Sequence, residues 1–204
     1  MPSETHRRFL NRFYRHGSAL YDLTRPLFLF GRGAALRLLL AERWDSLIEV
    51  GPGTGQNLAL LARSRPQARY GGLEPSDAML AYARARLPQV ELQRGWGEQL
   101  DAAALLGAAP DRVLFSYSLT MMEDPATALA AARAQLAPGG AVWVVDFGDH
   151  LGLPSPVGWL LDRWLRGFHV RPLSTELLAE GERLRSCCGG YGVIVRFGRP
   201  ETEG

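Results

Sequence analysis

The sequence of 204 residues has no lysine at all: its 23 basic residues are all arginines, set against 21 acids. The resulting charge of +2 is too small to argue for a nucleic-acid partner. Cysteine is nearly missing, and the two present, Cys187 and Cys188, are neighbours, so a bridge between them would be strained and no disulfide framework exists. A reduced, cytoplasmic protein is the expectation. No apolar run approaches the ~20 residues that span a bilayer. Residues 1–8 carry charge without a following signal-peptide core. Internal repeats, low-complexity tracts and clear linkers are also lacking. What remains is a chain 47% hydrophobic, enough for the core of one α/β domain over residues 1–204.

The chain is organised around Ser46-Leu47-Ile48-Glu49-Val50-Gly51-Pro52-Gly53-Thr54-Gly55-Gln56-Asn57. Residues 47–50, apolar except for Glu49, read as a buried parallel strand. Gly51, Gly53 and Gly55 allow a tight turn and are expected to present bare N–H groups. The apolar run 58–62 then reads as a helix pointing its N-terminus back at the loop. A dinucleotide fingerprint needs its third glycine five positions after the first, and that position is Gln56. The spacing G-x-G-x-G behind an acid instead resembles motif I of the class I S-adenosylmethionine-dependent methyltransferases.

A second strand, Ala68-Arg69-Tyr70-Gly71-Gly72-Leu73-Glu74, ends in an acid 23 positions after Gly51. That is close to the ~20 at which an acid accepts a ribose diol in doubly wound folds. The alternative is that Glu74 helps to start the next helix, which Pro75-Ser76-Asp77 caps. That helix covers 76–87, with Ala78, Met79, Tyr82 and Ala83 on one face. A third strand, 90–93, leads to Gly95-Trp96-Gly97-Glu98. Trp96 either stacks on adenine or belongs to the core, and Glu98 either contacts the adenine amino group or opens the next helix. The fourth strand and its exit loop run from Asp111 to Met122. Ligands lie beyond the carboxyl ends of parallel strands, so residues 116–122 should face cofactor and acceptor. Met121 and Met122 could equally be core. A helix over 125–136, the stop Ala137-Pro138-Gly139-Gly140 and a fifth strand, 141–147, follow.

Residues 5–21 read as a helix with a basic face and an apolar one, either a packing lid or an interfacial helix. Residues 157–172 combine Trp159, Trp164 and several arginines at helical spacing, suited to covering the site mouth or to a membrane interface. A helix over 174–184, capped by Ser174, precedes an edge strand within 189–198. The expected fold is therefore α/β and Rossmann-like: a mostly parallel twisted sheet flanked by helices, with an antiparallel C-terminal edge. Within it, residues 1–42 form a lid, 46–147 the cofactor core, 150–186 a helical acceptor-side insert, and 189–198 the closing edge strand.

The run Tyr14…Tyr21-Asp22-Leu23-Thr24-Arg25…Phe28-Leu29…Gly31-Arg32 resembles the start of the bacterial betaine-lipid N-methyltransferases, which trimethylate diacylglyceryl-homoserine. The exit loop Phe115-Ser116-Tyr117-Ser118-Leu119-Thr120-Met121-Met122-Glu123-Asp124, the strand end Val145-Asp146-Phe147 and Phe168-His169-Val170-Arg171-Pro172 carry the same resemblance. It departs at Pro52, which replaces a small residue or Cys, and at Trp96, which replaces an acid. The resemblance implies S-adenosylmethionine as cofactor, held by Glu49, Gly51, Gly53, Gly55, Asn57, Glu74, Pro75, Trp96, Gly97, Ser116, Tyr117 and Ser118. It implies an amine acceptor in a lipid headgroup or small molecule, peripheral membrane contact, and neither metal nor nucleic acid. An amine must arrive neutral, and Tyr14, Tyr21, Tyr117 and His169 are the candidate catalytic residues, with Tyr21 shaping the methyl channel. Aromatic rings would hold a trimethylammonium product by roughly 0.5–2 kcal/mol. The competing readings are a phospholipid or small-molecule methyltransferase and a non-catalytic S-adenosylmethionine-binding module.

Overall fold

Ten-residue and shorter helices alternate with strands through the computed structural model, which describes residues 29–148 and 172–199, with Pro156, Trp159, Leu160, Arg163 and Val170 between them. In chain order the elements are α1 (Arg32–Ala41), β1 (Ser46–Val50), α2 (Gln56–Ser64), β2 (Arg69–Glu74), α3 (Asp77–Arg86), β3 (Glu91–Arg94), α4 (Ala102–Leu106), β4 (Arg112–Ser116), α5 (Pro125–Ala134), β5 (Ala141–Phe147), α6 (Thr175–Ala179), β6 (Glu182–Cys187) and β7 (Gly192–Gly198). Short 3₁₀ turns lie at Gly97–Gln99 and Leu119–Met121.

The seven strands form one sheet in the order β3-β2-β1-β4-β5-β7-β6. Strands β1 to β5 are parallel; β7 runs antiparallel to β5 and to β6. β1 lies between β2 and β4, so the chain's direction of winding reverses there. A crevice opens at such a reversal because the loops leaving the two strands diverge to opposite faces. Here they are the loops after β1 and β4.

Alternate residues of each strand supply two cores. One face packs Leu47, Leu114 and Trp143 against Leu36 and Leu39 of α1, Leu58 and Leu61 of α2 and Leu80 of α3. The other packs Ile48, Phe115 and Val144 against Leu105 of α4, Leu129 of α5 and Leu178 of α6. The continuous burial of β1, β4 and β5 follows from being covered on both sides.

The C-terminal region differs from the sequence expectation. The helix expected over 174–184 spans only Thr175–Ala179, although Ser174 does cap it, its Oγ accepting the Leu177 N–H at 3.2 Å. The chain then turns at Gly181, where a Cβ would stand 2.5 Å from Val195 and 2.7 Å from Phe197. Residues from Glu182 onward form a strand, so the expected helical insert ends before it. The expected edge strand at 189–198 is interior: β7 sits between β5 and β6, and β6 is the edge. The physical reason is composition. Val193, Ile194 and Val195 are fully buried, whereas β6 carries Glu182, Arg183 and Arg185 and is mostly exposed. On α3 the buried face is Met79, Leu80 and Ala83, with Tyr82 53% exposed rather than facing inward.

Candidate functional site

The loop after β1 is held by its neighbours on three sides. Gly51, Gly53 and Gly55 all have positive φ, at 73°, 58° and 77°. At Gly51 a Cβ would also meet the Ser118 Cβ at 2.5 Å, so the loops after β1 and β4 touch and only glycine fits between them. The expectation of bare N–H groups is not met. The Gly51 N–H donates to Leu73 O at 2.8 Å, that of Gly53 to Glu74 Oε2 at 2.9 Å, and that of Gly55 to Pro52 O at 2.9 Å. The glycines serve close approach and curvature, not anion capture. Pro52 has no N–H to offer, and its ring is buried beside Gly72 of β2.

Glu74, at the carboxyl end of β2, is 5% exposed: Oε2 accepts the Gly53 N–H of the glycine loop at 2.9 Å, while Oε1 accepts the Ser76 N–H at 2.9 Å at the start of α3, the second of the tasks weighed for it. Pro75, between these contacts, is half-buried. Glu49 is 1% exposed and accepts from Asn57 Nδ2 at 2.7 Å, tying β1 to the first turn of α2. A buried carboxylate needs such a partner.

At the end of β4, Ser116 Oγ is buried and has no hydrogen-bond partner among the described residues. Ser118 Oγ donates to Val50 O at 2.6 Å, joining the two loops. Between them Tyr117 adopts φ +56°, rare for a residue with a Cβ. Its ring is 4% exposed, its hydroxyl donates to Phe30 O, and burial with the Asp146 charge pushes its pKa far above the usual tyrosine range. Such a hydroxyl keeps its proton, and its bond to Phe30 O holds the ring between the two loops. Its ring meets Phe147 edge-on at 4.9 Å; Phe147 meets Tyr191 at 5.3 Å, and Tyr191 meets Phe30 at 5.6 Å. This aromatic chain joins β4, β5 and the β6–β7 turn to the residues entering α1.

Sequence reasoning gave Asp146 no role of its own. It is fully buried at the end of β5 and gathers the exit loop. Its oxygens accept the N–H groups of Leu119 at 2.9 Å, Thr120 at 3.2 Å and Phe147 at 2.9 Å, and the Thr120 hydroxyl at 2.6 Å. Desolvation raises its pKa to about 6 despite these bonds. The available signal was an acid inside an otherwise apolar strand.

Gly97 packs beneath α5, where a Cβ would lie 2.7 Å from the Met122 sulfur and 3.2 Å from Ala128. Met121 and Met122 pack against the two cores, one on each. Trp96 is half-buried and lies in neither core cluster. Glu98 Oε1 accepts from the Asp124 N–H at 3.4 Å. Tyr14, Tyr21 and His169 fall outside the described residues. Both cysteines are free thiols. Among the described residues no group of three or more metal-ligating side chains occurs, and no helix is long and apolar enough to cross a membrane.

The site holds an acid at the β2 end, a glycine loop whose three glycine N–H groups are bonded within the fold, and a buried hydroxyl at the β4 end. Residues 48–142 match a family model described as a methyltransferase domain. A trans-aconitate 2-methyltransferase from Methylobacterium radiotolerans is 38% identical over 109 residues, covering 53% of this chain and 40% of that protein. The sugar N-methyltransferase KedS8 from Streptoalloteichus is 25% identical with a TM-score of 0.54, over 66% of this chain and 55% of that one. A SAM-dependent methyltransferase from Thermotoga maritima shares the fold over 96% of this chain and 100% of its own, with a TM-score of 0.68 at 20% identity. The chain spans about half, or less, of the length of the curated relatives it matches.

Proposed function

We propose that this chain, whose residues 48–142 match a family model described as a methyltransferase domain, is an S-adenosylmethionine-dependent enzyme of the class I type that methylates a nucleophile on a small polar molecule. The observation that carries the reading is the buried Glu74 carboxylate turned onto the glycine loop through Gly53. Glu74 would accept the ribose hydroxyls, Gly51 and Gly53 would let the cofactor approach the backbone, and Ser116 Oγ would gain a partner. Trp96 would border the adenine, with Glu49, Asn57, Pro75, Gly97 and Ser118 fixing the surrounding loops. The cofactor supplies a methyl group already activated on a sulfonium, so the chain's task is alignment and exclusion of water. Asp146 and Tyr117 perform that task by fixing the exit loop opposite Gly51. Proposed acceptor-side roles fall to Tyr14, Tyr21 and His169, with Tyr21 beside the methyl channel.

The small-molecule reading draws on the relatives, named for trans-aconitate and for sugar N-methylation. A second reading, N-methylation of a lipid-headgroup amine such as that of diacylglyceryl-homoserine, draws on the exit-loop resemblance and on a surface feature. Trp159 and Leu160 are 65% and 62% exposed, and the Arg163 guanidinium lies 5.9 Å over the Trp159 ring. An exposed Trp–Arg pair suits a bilayer interface from the cytoplasmic side. Mass spectrometry after incubation with label-bearing S-adenosylmethionine separates the readings, with polycarboxylates, amino sugars and lipid extract offered as acceptors. Label in a water-soluble acceptor supports the first, and label confined to lipid the second. Failure of titrated S-adenosylmethionine and its demethylated product to bind would overturn both.

A further inference from the structure

Methyl transfer as proposed makes no use of Cys187-Cys188-Gly189-Gly190, the turn between β6 and β7. The two cysteines of the chain are both here and both are free thiols, so neither has another cysteine within the chain to pair with. Cys187 closes β6 opposite Gly192 of β7 and is half-buried, whereas Cys188 is exposed and begins the turn at φ +49°. The half-buried thiol sits where three segments meet. A Cβ at Gly31, the N-cap of α1, would stand 3.1 Å from the Cys187 sulfur. One at Gly192 would meet Phe30 O and the Tyr117 hydroxyl at 3.0 Å each, and the Cys187 Cβ at 3.8 Å. The β6–β7 turn, the residues entering α1 and the β4 exit loop thus close on one another beside this sulfur.

Both thiols act on the same hydroxyl. Burial is the main cause of the raised Tyr117 pKa, but the charges of Asp146, Tyr191, Cys187 and Cys188 all push in the same direction. Burial and then Cys188 raise Tyr191 to about 12. The two sulfurs therefore share one neighbourhood, over the aromatic chain that fastens the entry of α1. Adjacent cysteines can join only through a small ring that strains the peptide between them. Such strain makes the bond easily reduced, which suits a reversible switch and not a structural staple. The cost falls on the turn, where the Tyr191 N–H donates to Cys188 O at 3.3 Å and the intervening Gly189-Gly190 can follow the new path.

We infer that Cys187 and Cys188 are a redox-sensitive dithiol, closed to a disulfide by peroxide and reopened by a small thiol, and that closure draws the Cys187 sulfur off Gly31 and loosens the start of α1. Peroxide oxidises the exposed Cys188 thiol to a sulfenic acid as its O–O bond breaks and one water leaves. The Cys187 sulfur then attacks the Cys188 sulfur. The S–S bond forms, the S–O bond breaks, and the hydroxyl departs as a second water with the Cys187 proton. The thiol pair has given two electrons to the peroxide, and thiol exchange returns them. The full chain is treated with stoichiometric hydrogen peroxide, and its remaining thiols are alkylated in denaturant. Both thiols should be blocked in a monomer lighter by two hydrogens, and dithiothreitol should restore both. In Cys188→Ser, Cys187 should stay open to alkylation at the same dose. The Ala35 amide, bonded to Gly31 O at 2.8 Å in the first turn of α1, should exchange hydrogen at least about tenfold faster in the oxidised chain. Oxidation that stops at added oxygen, a covalent dimer as the product, or unchanged Ala35 exchange after closure would each overturn the switch. Neither cofactor nor acceptor enters this test, so its outcome and that of the methyltransferase reading are independent.

Discussion

Glu74 and Asp146 are both buried acids at the carboxyl ends of strands, yet they act in opposite directions. Glu74 reaches outward to the glycine loop, its oxygens accepting the N–H groups of Gly53 and Ser76. Asp146 turns inward and accepts from four donors. Glu74→Ala should therefore weaken S-adenosylmethionine binding by about 1–3 kcal/mol in calorimetric titration. Unchanged affinity in a folded variant would remove Glu74 as the ribose acceptor. Asp146 gives a pH signature. Its folded pKa of about 6 lies above the ordinary aspartate value of 3.8, so the folded chain holds the proton more tightly than the unfolded one. The associated stability is fully present below about pH 4 and is lost as pH rises through about 6. In Asp146→Asn that segment of the stability curve should flatten. The amide cannot accept all four donors, so the variant should also lose about 1–3 kcal/mol at pH 7 in denaturant unfolding. A wild-type curve that rises between pH 4 and 6 with no change in the variant would refute the assignment.

At the scale of elements, the C-terminal hairpin shows how one small residue decides a path. Between α6 and β6 the chain must pass against β7, and Gly181 meets Val195 and Phe197 too closely to admit a Cβ. Gly181→Ala should destabilise the fold by about 1–3 kcal/mol through overpacking, measured as a lower denaturant midpoint. Gly198, whose hypothetical Cβ meets nothing within 4 Å and whose φ is not positive, makes the control: its Ala variant adds a Cβ without collision and without left-handed strain. Equal losses in the two variants would show that packing at Gly181 is not the cause. The aromatic chain from Tyr117 to Phe30 belongs to the same scale. It fastens the residues entering α1 to the ends of β4 and β5.

For the whole molecule, a ligand that binds only the folded chain adds its binding free energy to stability. At a hundred times its Kd, S-adenosylmethionine should contribute about 2.7 kcal/mol, a rise in Tm of roughly 5–10 °C for a chain of this size. A flat thermal melt across that concentration range would count against the cofactor. The alternation of β1 to β5 with helices, and with it a mostly parallel sheet, was legible in the chain because each determinant is local: an apolar strand, a glycine or capped turn, then a helix. The glycine loop and Glu74 were legible for the same reason, since spacing along the chain sets their separation at adjacent strand ends. The interior position of β7, the anchoring of the exit loop by Asp146 and the bond from the Tyr117 hydroxyl to Phe30 O were not. Each depends on which distant segments share a surface: 26 or 27 positions separate Asp146 from the donors of Leu119 and Thr120, and 87 separate Tyr117 from Phe30. Burial on both faces drew Val193, Ile194 and Val195 inside and left charged β6 at the edge, a choice made by the assembled sheet. Local pattern set the elements and the cofactor loop; long-range packing decided which side chains meet.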